Sequence, residues 1–290
     1  MVGEAFICPR PSDNVVQGTR DAPYQVVEVD SIDVSQIETV PSQQGFIDLI
    51  SRSMDFFFST QNNSFRDLYG EITNFPFKGF IFAGPPGTGK TEAVRLAFYQ
   101  QYLTLVRSGQ TLRLFHVNAA DINRSAVGDI EQRLRRVFRD ANSPNTNHRT
   151  IVLFDDIDSL LVRRTERNAS EWSRAANGVF FQEVDKLDAS KVLIMATTNQ
   201  PELIDGAVHS RLTLRHVEPP TLEDMLAIAA RVFPPTERGM GGLSRADLLD
   251  EVRARMVEAM EREDDPEAPS FRLARKTGIE VFMTRIMRWE

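Results

Sequence analysis

The run Gly84-Pro85-Pro86-Gly87-Thr88-Gly89-Lys90-Thr91 limits what this chain can be more than any other stretch. It fits the pattern G-x-x-x-x-G-K-[ST], a loop that cradles phosphate. Glycines at 84, 87 and 89 let the backbone turn successive N–H groups onto a polyphosphate. The helix that follows adds the positive end of its dipole. Lys90 is expected to reach the terminal phosphates and the Thr91 hydroxyl to bind Mg2+, with Glu92 beside them in the nucleotide-binding stretch. The flanks supply the context the loop needs. Gly79-Phe80-Ile81-Phe82-Ala83 reads as a strand, and Ala93, Val94, Leu96, Ala97 and Phe98 give a helical pattern.

Similar apolar runs recur downstream and set the fold class. Strand-like runs at Phe80–Ala83, Leu112–Val117, Ile151–Phe154 and Val192–Ala196 alternate with helical segments near 90–106, 129–141 and 173–187. Such alternation predicts an α/β domain of three layers, a parallel sheet with helices on both faces. Ile47, Ile50, Met54 and Phe57 mark a further helix before it. After Pro219-Pro220 the pattern turns wholly helical, with faces formed by Leu222, Met225, Leu226 and Ala229, and by Leu248, Leu249, Val252, Met256 and Met260. The expected organisation is a short N-terminal extension (1–42), a large α/β nucleotide-binding domain (43–218) and a small helical lid (219–290). The extension is too short for a substrate-binding domain of its own, although Tyr24 to Val29 alternates like a strand.

Composition narrows the function classes. A formal charge of −7 argues against a general nucleic-acid coat, which would be basic. One cysteine, Cys8, forms no intrachain disulfide, and a reducing compartment fits. The N-terminus lacks a basic signal-peptide start, and no apolar run reaches the ~18 residues of a membrane span. The expectation is a soluble, cytoplasmic protein.

Two further runs bring acids and an amide toward the loop. Ile151-Val152-Leu153-Phe154-Asp155-Asp156 is a buried strand ending in two carboxylates. At the C-terminal edge of a parallel sheet they would lie beside the phosphate, Asp155 serving Mg2+ and Asp156 orienting the attacking water. Val192-Leu193-Ile194-Met195-Ala196-Thr197-Thr198-Asn199 ends in an amide able to bridge phosphate and water. Taken alone, two acids and an Asn at strand ends are also ordinary features of a solvated edge.

With these residues together, the chain resembles an AAA+ ATPase of the narrower AAA subgroup. The resemblance rests on Gly84–Thr91, Ile151–Asp158 and Ala196–Arg211, the last similar to the sensor 1 region. It implies the P-loop NTPase fold, Mg2+-dependent ATP hydrolysis, and a homo-oligomeric ring, expected to be a hexamer. Arg211 falls where the family carries an arginine finger that reaches the neighbouring subunit's γ-phosphate, with Arg215 in reserve. Ser270-Phe271-Arg272-Leu273-Ala274-Arg275-Lys276 is similar to a sensor 2 helix, in which Arg272, or else Arg275, contacts ATP of its own subunit.

Three departures qualify the pattern. Asp156 stands where most relatives carry Glu, so either the backbone compensates for the shorter side chain or turnover is slow. Ala126, in the segment resembling the first pore loop, replaces a bulky group, leaving a weak grip or a non-threading mode open. The finger region holds a single arginine at its expected end. This feature, with the Ser-x-Arg-x-x-Arg-Lys lid pattern, resembles the pachytene-checkpoint remodellers, which act on HORMA-domain proteins. The function expected is ATP-driven protein remodelling, with a HORMA-like client. The alternatives are a nucleic-acid-linked ATPase (a helicase loader or transposition helper) or a slow nucleotide-gated scaffold. Arg133, Arg135, Arg136 and Arg139 permit the nucleic-acid reading, but no aromatic platform interleaves them.

Overall fold

A computed structural model of the chain describes residues 22–27, 40–58, 77–123, 129–142, 144–145, 147–161, 171–234, 244–261 and 269–286. Six strands form one sheet: β1 (Gln25–Val27), β2 (Gly79–Ala83), β3 (Thr111–Asn118), β4 (His148–Asp155), β5 (Val192–Thr198) and β6 (Leu212–His216). Their spatial order is β1-β3-β4-β5-β2-β6. From β3 to β6 every neighbouring pair is parallel. Parallel neighbours cannot be joined by hairpins, so each connection crosses over a sheet face and carries helix.

These crossovers explain the composition of the central strands. Every residue of β2 and β5 is buried, because both faces of the sheet are covered. On one face α1 (Pro41–Phe58) and α2 (Lys90–Arg107) pack over Leu112, Leu114, Ile151, Leu153, Leu193 and Met195. On the other, α4 (Asp129–Ala141) and α5 (Glu171–Asp185) cover Phe115, Val117, Val152, Phe154 and Ile194. Phe138, Phe154 and Phe180 meet there at centroid separations of 5.5–5.9 Å, two of the contacts edge-to-face. A short α3 (Ala119–Asn123) follows β3 directly.

Two features depart from the expected sheet. β1 runs antiparallel to β3, with Val26 opposite Phe115, so part of the 1–42 stretch is an edge strand of the large domain. Tyr24 secures it, stacking on Phe115 at 4.2 Å and donating its hydroxyl to Asp140 at 3.0 Å. β6 has no continuous apolar run. Its sequence Leu-Thr-Leu-Arg-His suits an edge strand, paired only with β2 and with its last two residues exposed.

The C-terminal helices α6 (Leu222–Ala230), α7 (Arg245–Glu261) and α8 (Phe271–Ile286) bury a separate core of Met225, Ile228, Val252, Met256, Ala274 and Val281. Val40 is buried in this same cluster, so the chain just before α1 touches the lid as well as the large domain. α6 starts with a reciprocal cap. Asp224 N–H donates to Thr221 Oγ1 at 3.2 Å, and Thr221 N–H donates to the Asp224 carboxylate at 3.0 Å. Ser42 adds further hydrogen bonds to the Asp224 carboxylate.

Burial alone would raise the pKa of Asp224. The hydrogen bonds from Ser42 and Thr221 outweigh it and hold the carboxyl below its ordinary value of 3.8. A carboxyl depressed by folding stabilises the protein above its unfolded pKa, and that stabilisation is lost as pH falls through its folded value. Melting measured against pH is therefore expected to show the wild type losing, below about pH 4, an advantage over Asp224→Asn that it holds at neutral pH. Parallel profiles would contradict this.

Candidate active site

The loop between β2 and α2 is shaped by what surrounds it. Gly87 and Gly89 adopt φ of 75° and 80°, a region that side chains disfavour. Space is closed to them too. A Cβ on Gly89 would lie 2.4 Å from Gln43 Nε2, and one on Gly87 would lie 2.8 Å from Ser270 Cβ. Loop carbonyls are held from both sides. Gln43 Nε2 donates to Thr88 O at 2.8 Å, and the Phe271 backbone N–H donates to Gly87 O at 2.9 Å. With carbonyls tied outward, the loop is pre-set for its amides to serve an anion.

Lys90 opens α2 and is buried. Its ammonium donates to Gly84 O, Pro85 O and Asn199 Oδ1, each at 2.8 Å. Burial lowers its pKa, and the charges of Asp156, Asp155 and Asp158 oppose that shift without cancelling it. The cation therefore sits at the mouth of the loop, linked to the end of β5 through Asn199.

Asp155 ends β4 and collects three contacts. Its Oδ1 accepts the hydroxyls of Thr91 at 2.8 Å and Thr197 at 2.5 Å, while His116 Nε2 lies 3.4 Å from Oδ2. Burial would raise its pKa. The hydrogen bonds from His116, Thr197 and Thr91 overcome this and bring it down to about 2. Asp155 and the Thr91 hydroxyl form a hard oxygen set beside the loop. This suits Mg2+, which keeps several waters and relies on substrate phosphates rather than a full protein cage.

Asp156 has φ 51° and ψ 54°, and is the sole non-glycine residue with positive φ among those described. Asp tolerates this left-handed region better than most side chains. Its N–H donates to Thr197 Oγ1 at 3.1 Å, and its carboxylate accepts from Asn199 Nδ2 at 3.3 Å. Thr197 thus serves both acids, its oxygen accepting the hydrogen bond of the Asp156 N–H and its hydroxyl donating one to the Asp155 carboxylate. Burial, then Asp155 and Asp158, raise the pKa of Asp156, and Lys90 and Arg272 lower it less strongly. Asp158 is engaged by the Thr198 hydroxyl at 2.5 Å.

The remaining residues singled out in the sequence separate into two places. Arg272 lies by the loop, since a Cβ on Gly87 would come within 3.4 Å of Arg272 Cβ, and its charge acts on Asp156. Arg275 lies three residues further along α8, with an exposed side chain. Arg211 lies at the opposite edge of the sheet. It precedes Leu212, which pairs with Gly79 at the start of β2, whereas the loop follows the end of β2. Its guanidinium is bidentate to Asp185 at 2.7 Å and 2.7 Å and lies 4.9 Å over the Phe181 ring. Arg215 pairs with Phe82, near the loop end of the same strand. Ala126 and its neighbours 124–128 fall outside the described residues.

Thr197 and His116 were not among the residues expected to serve the site. The Thr197-Thr198 pair just before Asn199 was a usable signal, because hydroxyls at a strand end beside carboxylates tend to bond them. Nothing local marked His116, which is remote in sequence.

Residues 80–219 match the family described as "ATPase family associated with various cellular activities (AAA)". Among curated proteins, the chain is 33% identical to a spastin of Dictyostelium discoideum over 157 residues, covering 53% of this chain and 22% of that protein. It is 30% identical to a probable spastin homolog of Brugia malayi over 181 residues, 61% of this chain and 37% of that one. It is also 30% identical to the ATPase family gene 2 protein of Schizosaccharomyces pombe over 142 residues, 49% of this chain and 16% of that one. The chain thus matches well under half the length of each of these relatives. Among solved structures, a chain in the E. coli MS115-1 HORMA:CdnC:Trip13 complex superimposes with a TM-score of 0.58 at 15% identity, covering 89% of this chain and 94% of that one. That likeness is one of fold: the α/β sheet with helices on both sides and the helical C-terminal region.

Thr197→Val keeps the shape of the side chain but strips the Asp155 carboxylate of a donor and the Asp156 N–H of its acceptor. The expected loss is about 1–3 kcal/mol of unfolding free energy, read by denaturant titration. A change near zero would mean these two bonds contribute little.

Proposed function

From the premise that this chain belongs to the AAA+ ATPases, we propose that it binds Mg·ATP at the loop Gly84–Thr91 and hydrolyses it at contacts between copies of itself. The observation that carries this reading is the division of the site. Lys90, Asp155, Asp156 and Asn199 meet at one edge of the sheet, and Arg211 stands at the other. A β2 strand separates them, roughly 15 Å of backbone. An arginine so placed serves catalysis only from a second copy.

The proposed roles are those the family resemblance implies, and the positions of these residues are compatible with them. Loop amides and Lys90 hold the phosphates, and Arg272 reaches toward them from the lid. Asp156, oriented by Asn199, positions the attacking water. Arg211 of an adjoining copy neutralises charge that develops in the transition state. Thr91 and Asp155 would hold Mg2+, which would supply charge neutralisation on the phosphate. The left-handed backbone at Asp156 supports turnover with the shorter acid, because it re-aims the carboxylate toward the Asn199 amide.

The work we propose for this cycle is remodelling of a protein client by a ring, expected to be a hexamer, in the cytoplasm. The fold shared with a chain of the HORMA:CdnC:Trip13 complex supports a HORMA-like client. Among the described residues, no helix is long and apolar enough to cross a membrane. The nucleic-acid alternative loses support from the basic cluster. Arg135 is paired with Glu183 at 2.7 Å, and Arg136 and Arg139 with Asp140 at 3.6 Å and 3.3 Å. Those arginines are partly neutralised within the fold.

Lys90→Ala and Arg211→Ala are each expected to lower turnover about a thousand-fold. Mixed in one assembly, they are expected to recover activity at interfaces that join an intact loop to an intact arginine. Failure of every mixing ratio to recover activity would contradict a shared site. ATPase stimulation by DNA would favour the nucleic-acid alternative, and ATP-driven assembly with no phosphate release would favour a scaffold.

A further inference from the structure

One side chain beside Asp155 has no part in the roles above. β3 presents Leu112, Leu114 and then His116 toward the face that α1 and α2 cover, where Leu112 and Leu114 are fully packed. A third apolar residue would complete that stripe. An imidazole stands there instead, with a side-chain exposure of 17%. Parallel pairing sets His116 beside Leu153, so that it reaches diagonally along β4 to Asp155. The atom that makes the approach is Nε2, 3.4 Å from Asp155 Oδ2. Both hydroxyls that touch this carboxylate use the other oxygen, Oδ1.

We propose that His116 is a positioning residue that restrains Oδ2 of Asp155 and so fixes the orientation in which that carboxylate serves the nucleotide-bound cation. The inference rests on the reading that Asp155 serves the cation. Two hydroxyls anchor Oδ1, and His116 makes the contact on Oδ2 from a different strand. Holding both oxygens narrows the residual tilt of the carboxylate below what bonds to Oδ1 alone allow. Groups that orient a metal-binding side chain typically change metal affinity by 10–100-fold when removed. A tilting carboxylate also presents its charge less consistently to a cation that keeps most of its waters.

The geometry makes the choice of substitution diagnostic. The amide nitrogen of Gln lies near the place of an imidazole Nε2, and that of Asn near the place of Nδ1. His116→Gln therefore keeps a donor at the contacting position, while His116→Asn and His116→Leu do not. The measurement is Mn2+ binding, followed by electron paramagnetic resonance in the presence of a non-hydrolysable ATP analogue, so turnover plays no part. His116→Asn and His116→Leu are expected to weaken Mn2+ binding about ten-fold, and His116→Gln to stay within about two-fold of wild type. A purely structural role predicts a different ranking, with Leu best tolerated because it continues the apolar stripe. Wild-type affinity in the Asn variant, or a Gln variant as weak as Asn, would overturn the proposal. The Asn–Gln comparison stands even where Leu disturbs the fold. Asp155→Asn is the control. Undiminished Mn2+ binding there would sink the reading of Asp155 itself. Loss there, with all His116 variants unchanged, would sink only the role of His116.

Discussion

The site depends on one carboxylate oxygen. Asp155 Oδ1 accepts from Thr91, in the first turn of α2, and from Thr197, the penultimate residue of β5, while its own residue ends β4. Three elements therefore converge on one atom at the C-terminal edge of the sheet. The strand order makes this possible, because β4, β5 and β2 are parallel neighbours and end together. Three acids, Asp155, Asp156 and Asp158, lie within electrostatic reach of one ammonium, Lys90. So many carboxylates so close would repel; hydroxyls of Thr91 and Thr197 hold Asp155, that of Thr198 holds Asp158, and the Asn199 amide holds Asp156. The excess of acid over base there is suited to a divalent cation brought in with a phosphate ligand.

A second constraint is the lid. It contacts the phosphate loop by a backbone hydrogen bond from Phe271 to Gly87, and contacts the start of α1 through Ser42, Asp224 and Val40. Gln43, at the start of α1, bonds the loop from the other side. Any change in the loop's backbone is thus felt by two elements at once.

Much of the layout could be read in the sequence. Phe80–Ala83, Ile151–Phe154 and Val192–Ala196 are strands of a sheet buried on both faces, and such strands announce themselves as unbroken apolar runs. The loop and the two acids at the end of β4 were legible because their chemistry fixes their spacing. Edge strands were harder. β6 alternates Leu-Thr-Leu-Arg-His, and β1 is three residues whose pairing depends on Tyr24 stacking against Phe115, a contact no local pattern reveals. Partners brought in by tertiary packing were also hidden. His116 reaches Asp155 only because β3 and β4 are in a particular register, and Arg211 finds Asp185 only because β6 begins beside the end of α5.

Arg211 and the phosphate loop occupy opposite edges of one sheet, so the proposed cleavage of ATP draws on groups from two copies of this chain. The most direct measurement is phosphate release per chain against chain concentration, with assembly followed in the same samples. Specific activity is expected to rise with concentration in step with assembly and to approach zero where the chain is monomeric. A specific activity that is high and constant down to concentrations at which only monomer is present would contradict it.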